Sequence, residues 1–147
     1  MAFAPHFSEQ ELTFSQTATR LGIDNSIPDE LRGNLEKLSW YLEKIRGKIN
    51  SPIIVSSGFR CETLNDEIGG SHTSAHMKGL AADINVHGVS PLEFANFIAE
   101  SMKGYDQIIH EFGRWVHVGL SDTPRGEKLT AMRENGHTVY KSGFLEV

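Results

Sequence analysis

A change of hydrophobic period at Pro52 constrains the fold of this chain more than any other feature. Ahead of it, "IPDELRGNLEKLSWYLEKIRGKI" places Leu31, Leu35, Leu38, Leu42, Ile45 and Ile49 at steps of four and three. That is the apolar stripe of one amphipathic helix, and Pro28 suits its first turn. Beyond Pro52 the pattern shortens. "PIIVSSGF" reads as a strand ending at Gly58, "LAADINV" as a second strand, and "YDQIIHEFGRWVHVGL" as a hairpin turning around Gly113 and Arg114. Helices first and short alternating strands after them give an α+β fold. A helical N-terminal part is expected to pack on a small, mostly antiparallel sheet.

The remaining segments fill in that plan. "SEQELTFSQTATRLG" reads as one helix starting near Ser8, with Glu11 placed for a capping box and Gly22 as its stop. "CETLNDEIGG" is a short helix running into a glycine-rich loop. "SPLEFANFIAESMKG" is a helix capped by Ser90, with Pro91 in its first turn and Glu93 completing a capping box. Asn135-Gly136 in "LTAMRENGHTVYKSG" marks a last, peripheral hairpin. Trp40 and Tyr41 lie off the helical stripe, over a neighbour or on the surface. With 147 residues and no internal repeat, the expectation is one domain spanning residues 1–147.

Charge and composition exclude several functions. The formal net charge is -5 and no block of lysines or arginines stands out, so no nucleic-acid partner is expected. No apolar run reaches the length of a membrane span, so no membrane insertion is expected. "MAFAPHFSEQ" lacks a basic region followed by an apolar one, so synthesis in the cytoplasm without a signal peptide is expected. The single cysteine, Cys61, excludes an internal disulfide and a thiolate-rich zinc site, and reads as structural. Nothing in the sequence asks for an obligate partner, and a monomer is expected.

The chemistry must then come from histidines and carboxylates. Along "LAADINV", Ala81, Asp83 and Asn85 share one face, and Ala82, Ile84 and Val86 share the other. In "WVHVGL", His117 lies with Trp115 and Gly119 opposite the apolar Val116, Val118 and Leu120. Asp83 and His117 therefore point to the open face of the sheet. His76 sits in the loop before the Asp83 strand, and Gly79 lets that loop fold back. Two imidazoles and one carboxylate make a zinc set with a fourth position open for water. The same residues at this spacing are, taken alone, more often solvated or structural, so the pattern leaves both readings standing.

The stretch "SSGFRCETLNDEIGGSHTSAHMKGLAADINV" resembles the zinc D-Ala-D-Ala carboxypeptidase family of metallopeptidases. Ser74-x-His76-x-x-Gly79-x-Ala81-x-Asp83 is similar to that family's signature at each specified position. "WVHV" resembles the later segment that supplies a third ligand, and "SSGFR" the segment whose arginine lines the substrate cleft. The resemblance runs from Ile53 to Leu120, and the helical N-terminus looks like that of phage-type members. It implies one Zn²⁺ held by His76, Asp83 and His117, with Arg60 binding the substrate. Ser74 is expected beside the ligands and the substrate, and Trp115 as a wall of the cleft. The implied substrates are peptidoglycan stem peptides, cut by a carboxypeptidase or an endolysin-type endopeptidase acting on the wall after release or delivery.

One departure matters. Many members of that family carry a glutamate three residues before the last histidine ligand, and here that position is Arg114. Two nearby residues compete for the role of general base. A two-residue turn at Gly113-Arg114 would set His110 opposite His117 on the metal face. A three-residue turn from Phe112 to Arg114 would put Glu111 there instead, because one residue of register exchanges the faces. Glu111 is favoured, since a carboxylate is the commoner base beside zinc. His110 stays as the base or a transition-state stabiliser, and Asp106 is a third choice better suited to a cap or turn. A zinc-binding module without turnover, or a zinc hydrolase acting on another peptide or amide, are the alternatives in function.

Overall fold

The computed structural model describes residues 2–147. Two short helices, α1 (Glu9–Thr13) and α2 (Gln16–Leu21), replace the one helix expected there. The break is made by capping chemistry. Ser8 accepts a hydrogen bond from the Glu11 amide, and Ser15 restarts the count by accepting one from the Ala18 amide at 3.1 Å. Phe14 between them is extended, and the Thr13 carbonyl is taken by the Asn25 side chain instead of a following turn. Gly22 then ends α2 in the left-handed conformation, as its position suggested.

Helix α3 (Asp29–Ile49) carries the periodic stripe. Leu35, Leu38, Leu42 and Ile45 are fully buried, with Leu31 and Ile49 partly so. Trp40 donates from Nε1 to the Ala2 carbonyl and Tyr41 from its hydroxyl to the Lys103 carbonyl, so both tie down neighbouring segments. Helix α4 (Glu62–Glu67) is short, and helix α5 (Pro91–Ser101) starts at Ser90, which accepts from the Glu93 amide.

Six strands form one sheet: β1 (Ile54–Ser57), β2 (Ala81–Asn85), β3 (Gln107–Glu111), β4 (Trp115–Gly119), β5 (Glu127–Glu134) and β6 (His137–Ser142). Their order is β1-β2-β4-β3-β5-β6, and every pairing is antiparallel except β3 with β5. The last hairpin is thus no separate appendage: β5 extends the main sheet beside β3. Its turn is the two residues Asn135 and Gly136, both at positive φ, which matches the twist of the flanking strands.

One face of the sheet meets α3 and α5. Ala82, Ile84, Ile108, Val116 and Val118 pack there against Leu38, Leu42, Phe94 and Ile98. Each large side chain so buried is worth roughly 1.5–3 kcal/mol. A one-residue slip of β2 or β4 would expose that apolar set and drive Asp83 and His117 into it. The core therefore fixes which face the polar residues occupy.

Candidate metal centre

Strand register brings the acid and one imidazole together: Asp83 lies directly opposite His117 across β2 and β4. The second imidazole arrives on a single 3-10 turn, Ala75–Lys78, just ahead of β2. Ser74 starts that turn by accepting from the His76 amide, and Gly79 ends it at φ 74. Residues of α3 and of the segment just before it hold it in place. Asn34 donates to the Lys78 carbonyl, and a Cβ on Gly79 would come within 3.3 Å of Ile27 Cδ1. The face expected to be open is therefore covered at this point. His76, Asp83 and His117 are 1%, 7% and 8% exposed.

His76 Nε2 lies 3.2 Å from Asp83 Oδ1, and His117 Nδ1 lies 3.1 Å from the same oxygen. The three donor atoms all fall within 4.8 Å of one another. Tetrahedral zinc with bonds of about 2.0–2.2 Å places its donors roughly 3.3–3.6 Å apart, so this set fits the ion with small adjustments. Tautomer assignment agrees. His76 Nδ1–H donates to the Gly58 carbonyl at 2.7 Å, which leaves the Nε2 lone pair for a cation and fixes the ring.

Electrostatics favour a cation as well. Burial alone would push the Asp83 carboxyl up, but the two imidazoles hold it well below the ordinary carboxylate range. Burial keeps the His76 imidazole below its usual value, and so neutral, against the pull of Asp83. His117 moves the other way: burial lowers it, yet hydrogen bonding and charge from Asp83, with Glu111 behind, leave it raised. The same negative surroundings favour a divalent cation at the ligand nitrogens, and its binding competes with protons there.

The turn joining β3 and β4 has three residues, since Glu111 pairs with Trp115 and Ile109 with His117. That register places Glu111 on the metal face, with Oε1 4.0 Å from His117 Nδ1. Burial, then the charge of Asp83, raises its carboxyl above the usual glutamate value, while His117, Trp115 and Arg60 temper the rise. Register removes His110 from the site. It pairs with Val116 on the opposite face, 2% exposed, and its Nδ1 donates to the Leu145 carbonyl. Asp106 is occupied too, holding the Arg125 guanidinium through both carboxylate oxygens.

Arg60 follows β1 and is anchored by its own amide to the His76 carbonyl at 3.1 Å. It forms no ion pair with Glu62 or Asp66, the latter lying 3.8 Å from His72. Its buried Nε has no hydrogen-bond partner among the described residues. Burial lowers the guanidinium, and the charges of Asp83 and Glu111 act against that shift.

A model of the peptidase M15 family matches residues 5–119, well over half of the sequence. The chain belongs to the peptidase M15 family. A curated relative is the zinc D-Ala-D-Ala carboxypeptidase of Streptomyces albus G, 41% identical over 54 residues. That alignment covers 36% of this chain and 21% of the relative, so the chain spans only about a fifth of that protein's length.

Within this M15 protein two of the residues expected at the cleft also make contacts inside the fold. Ser74 accepts from the His76 amide at the start of the ligand turn and helps to position His76. Trp115, expected as a cleft wall, donates from Nε1 to Glu111 Oε1 at 2.8 Å and packs edge-on against Phe112. Two contributors had no signal in the sequence. One is the Gly58 carbonyl behind His76. The other is buried Asn25, whose side chain donates to the Thr13 and Phe59 carbonyls and accepts from the Cys61 amide, clamping the segment that carries Arg60. Both depend on contacts across the fold.

The indole bond has a measurable consequence. It stabilises the ionised Glu111 carboxylate, so Trp115→Phe makes that group harder to deprotonate. The acid limb of a pH–kcat/KM profile moves to higher pH in the variant, with the plateau retained. An unmoved limb means that Glu111 ionisation does not govern it.

Proposed function

We propose that this protein is a zinc-dependent peptidase that hydrolyses peptide bonds of bacterial cell-wall peptidoglycan. One observation carries the reading: a buried His76–Asp83–His117 donor set with the Glu111 carboxylate beside it on the same face of the sheet. Bound Zn²⁺ would act there as a Lewis acid and lower the pKa of a coordinated water to about 7. Glu111 accepts the proton of the attacking water and passes it to the leaving nitrogen, a task suited by its raised affinity for a proton. Arg60, with its unpartnered Nε, binds the carbonyl oxygen or a carboxylate of the substrate. Trp115 holds the Glu111 carboxylate in place. The substrate class rests on membership of the M15 family and on the name of the Streptomyces relative. Delivery to the wall by a phage-type lysis route belongs to the same proposal and rests on the sequence resemblance alone.

The test is mass spectrometry of purified peptidoglycan digested with and without a chelator, with His117→Ala as the inactive control. Chelator-sensitive soluble products are expected, and their masses name the bond: loss of one terminal alanine, or severed stems and cross-links. An unchanged digest from protein shown to contain zinc overturns the wall-peptidase reading. It would leave the metal-binding module or another substrate.

A further inference from the structure

Hairpin β5–β6 lies beyond the segment matched to the M15 family, yet its strands continue the metal-bearing face. Register carries that face across three strands. Glu111 pairs with Ala131 on β5, and Ala131 pairs with Tyr140 on β6. Directly opposed residues share a face, so Trp115, Glu111, Ala131 and Tyr140 form one row across the sheet. Ala131 is fully buried, so its neighbours close over its methyl group and the row shows solvent its larger member, Tyr140. Tyr140 is 57% exposed although it is a large aromatic. Burial raises its phenol first, and the Glu111 charge raises it further, as expected of near neighbours.

Glu111 also sets the polarity of this row. A base that gives its proton to the leaving nitrogen must stand on the leaving side of the scissile bond. Arg60 approaches from the β1 end, and Tyr140 stands beyond Glu111 at the other. We infer that Tyr140 is a substrate-binding residue for the leaving fragment, the part of the substrate that follows the scissile bond. The protein therefore favours substrates whose leaving fragment is longer than one residue. This rests on the proposed peptidase function and deepens it. Two strand spacings of about 4.8 Å separate Glu111 from Tyr140, and an extended peptide rises about 3.3 Å per residue, so the row accommodates roughly three residues. The ring offers a flat apolar surface to that segment and a hydroxyl for its backbone. Trimming a single terminal residue would leave Tyr140 without a contact.

Two synthetic wall peptides with the same acyl side test it, one releasing a single residue and the other three. Tyr140→Ala should lower kcat/KM about fivefold on the longer peptide, chiefly through KM, the effect expected for loss of one aromatic contact. Cleavage of the shorter peptide should be unchanged. Tyr140→Phe should keep most of the effect of the ring, and calorimetric titration with the three-residue fragment should show the same loss for Tyr140→Ala. Equal effects on both peptides, or none on the longer, overturn the inference while leaving the peptidase intact. A wild type inert on both peptides overturns the peptidase reading and this inference with it.

Discussion

Glu111→Gln lowers kcat by roughly 10²- to 10⁴-fold, the range for removing a general base, and leaves zinc affinity close to that of the wild type. Glutamine keeps the size of the side chain and can still accept the Trp115 indole hydrogen bond seen at 2.8 Å. It cannot take a proton. Glu111 is not among the three donors, so metal should remain: its Oε1 is 4.0 Å from His117 Nδ1, against 3.1 Å for Asp83 Oδ1. Steady-state rates on a wall peptide, paired with zinc content by atomic absorption, read both quantities. A variant that keeps zinc and retains more than a tenth of the wild-type rate would remove Glu111 from the reaction. Arg114 gives no competing account. It is exposed, and its carbonyl accepts from the Asn85 side chain at 2.9 Å.

Gly58→Ala damages stability and the metal site together. A Cβ there would lie 2.3 Å from the Leu12 carbonyl oxygen and 3.0 Å from its carbon, both backbone atoms of α1. Neither can rotate away, and the Phe59 amide already bonds that same carbonyl at 2.8 Å. Forced overpacking of this kind costs about 1–3 kcal/mol. The backbone shift also moves the Gly58 carbonyl, which accepts from His76 Nδ1 and sets the ring for its ligand nitrogen. Loss of such an outer partner weakens metal binding about 10–100-fold. Urea denaturation of the metal-free protein gives the first quantity, and zinc competition against a chromophoric chelator gives the second. Gly47→Ala is the control, because nothing lies within 4 Å of its added Cβ on the exposed side of α3 and alanine favours a helix there. Unchanged zinc affinity in Gly58→Ala would mean that the carbonyl does not orient His76.

Much of this is legible in the order of residues alone. Alternation in "LAADINV" and "WVHVGL" assigns Asp83 and His117 to one face and their apolar neighbours to the other, because a strand has period two. The helical stripe of α3 is equally plain. The break at Phe14 is not, since both Ser8 and Ser15 can cap a helix and the choice of two starts depends on Asn25 taking the Thr13 carbonyl. Covering of the metal face is hidden for a similar reason. It needs the 3-10 turn of His76 to be held by Asn34 of α3, a contact 44 residues apart.

The fold class and the candidate donors His76, Asp83 and His117 were legible in the order of residues. Local periodicity, the glycine at 79 and the order of the motifs are properties of neighbouring residues, and the M15 resemblance rests on the same segments. Which of Glu111 and His110 lies on the face of the candidate metal site is visible only in the folded chain, because a single residue of register moves one to that face and the other to the core. Only the tertiary structure could show that Tyr140, 29 positions beyond Glu111, stands in the same row. That juxtaposition comes from β5 pairing in parallel with β3, a long-range contact that no local pattern encodes.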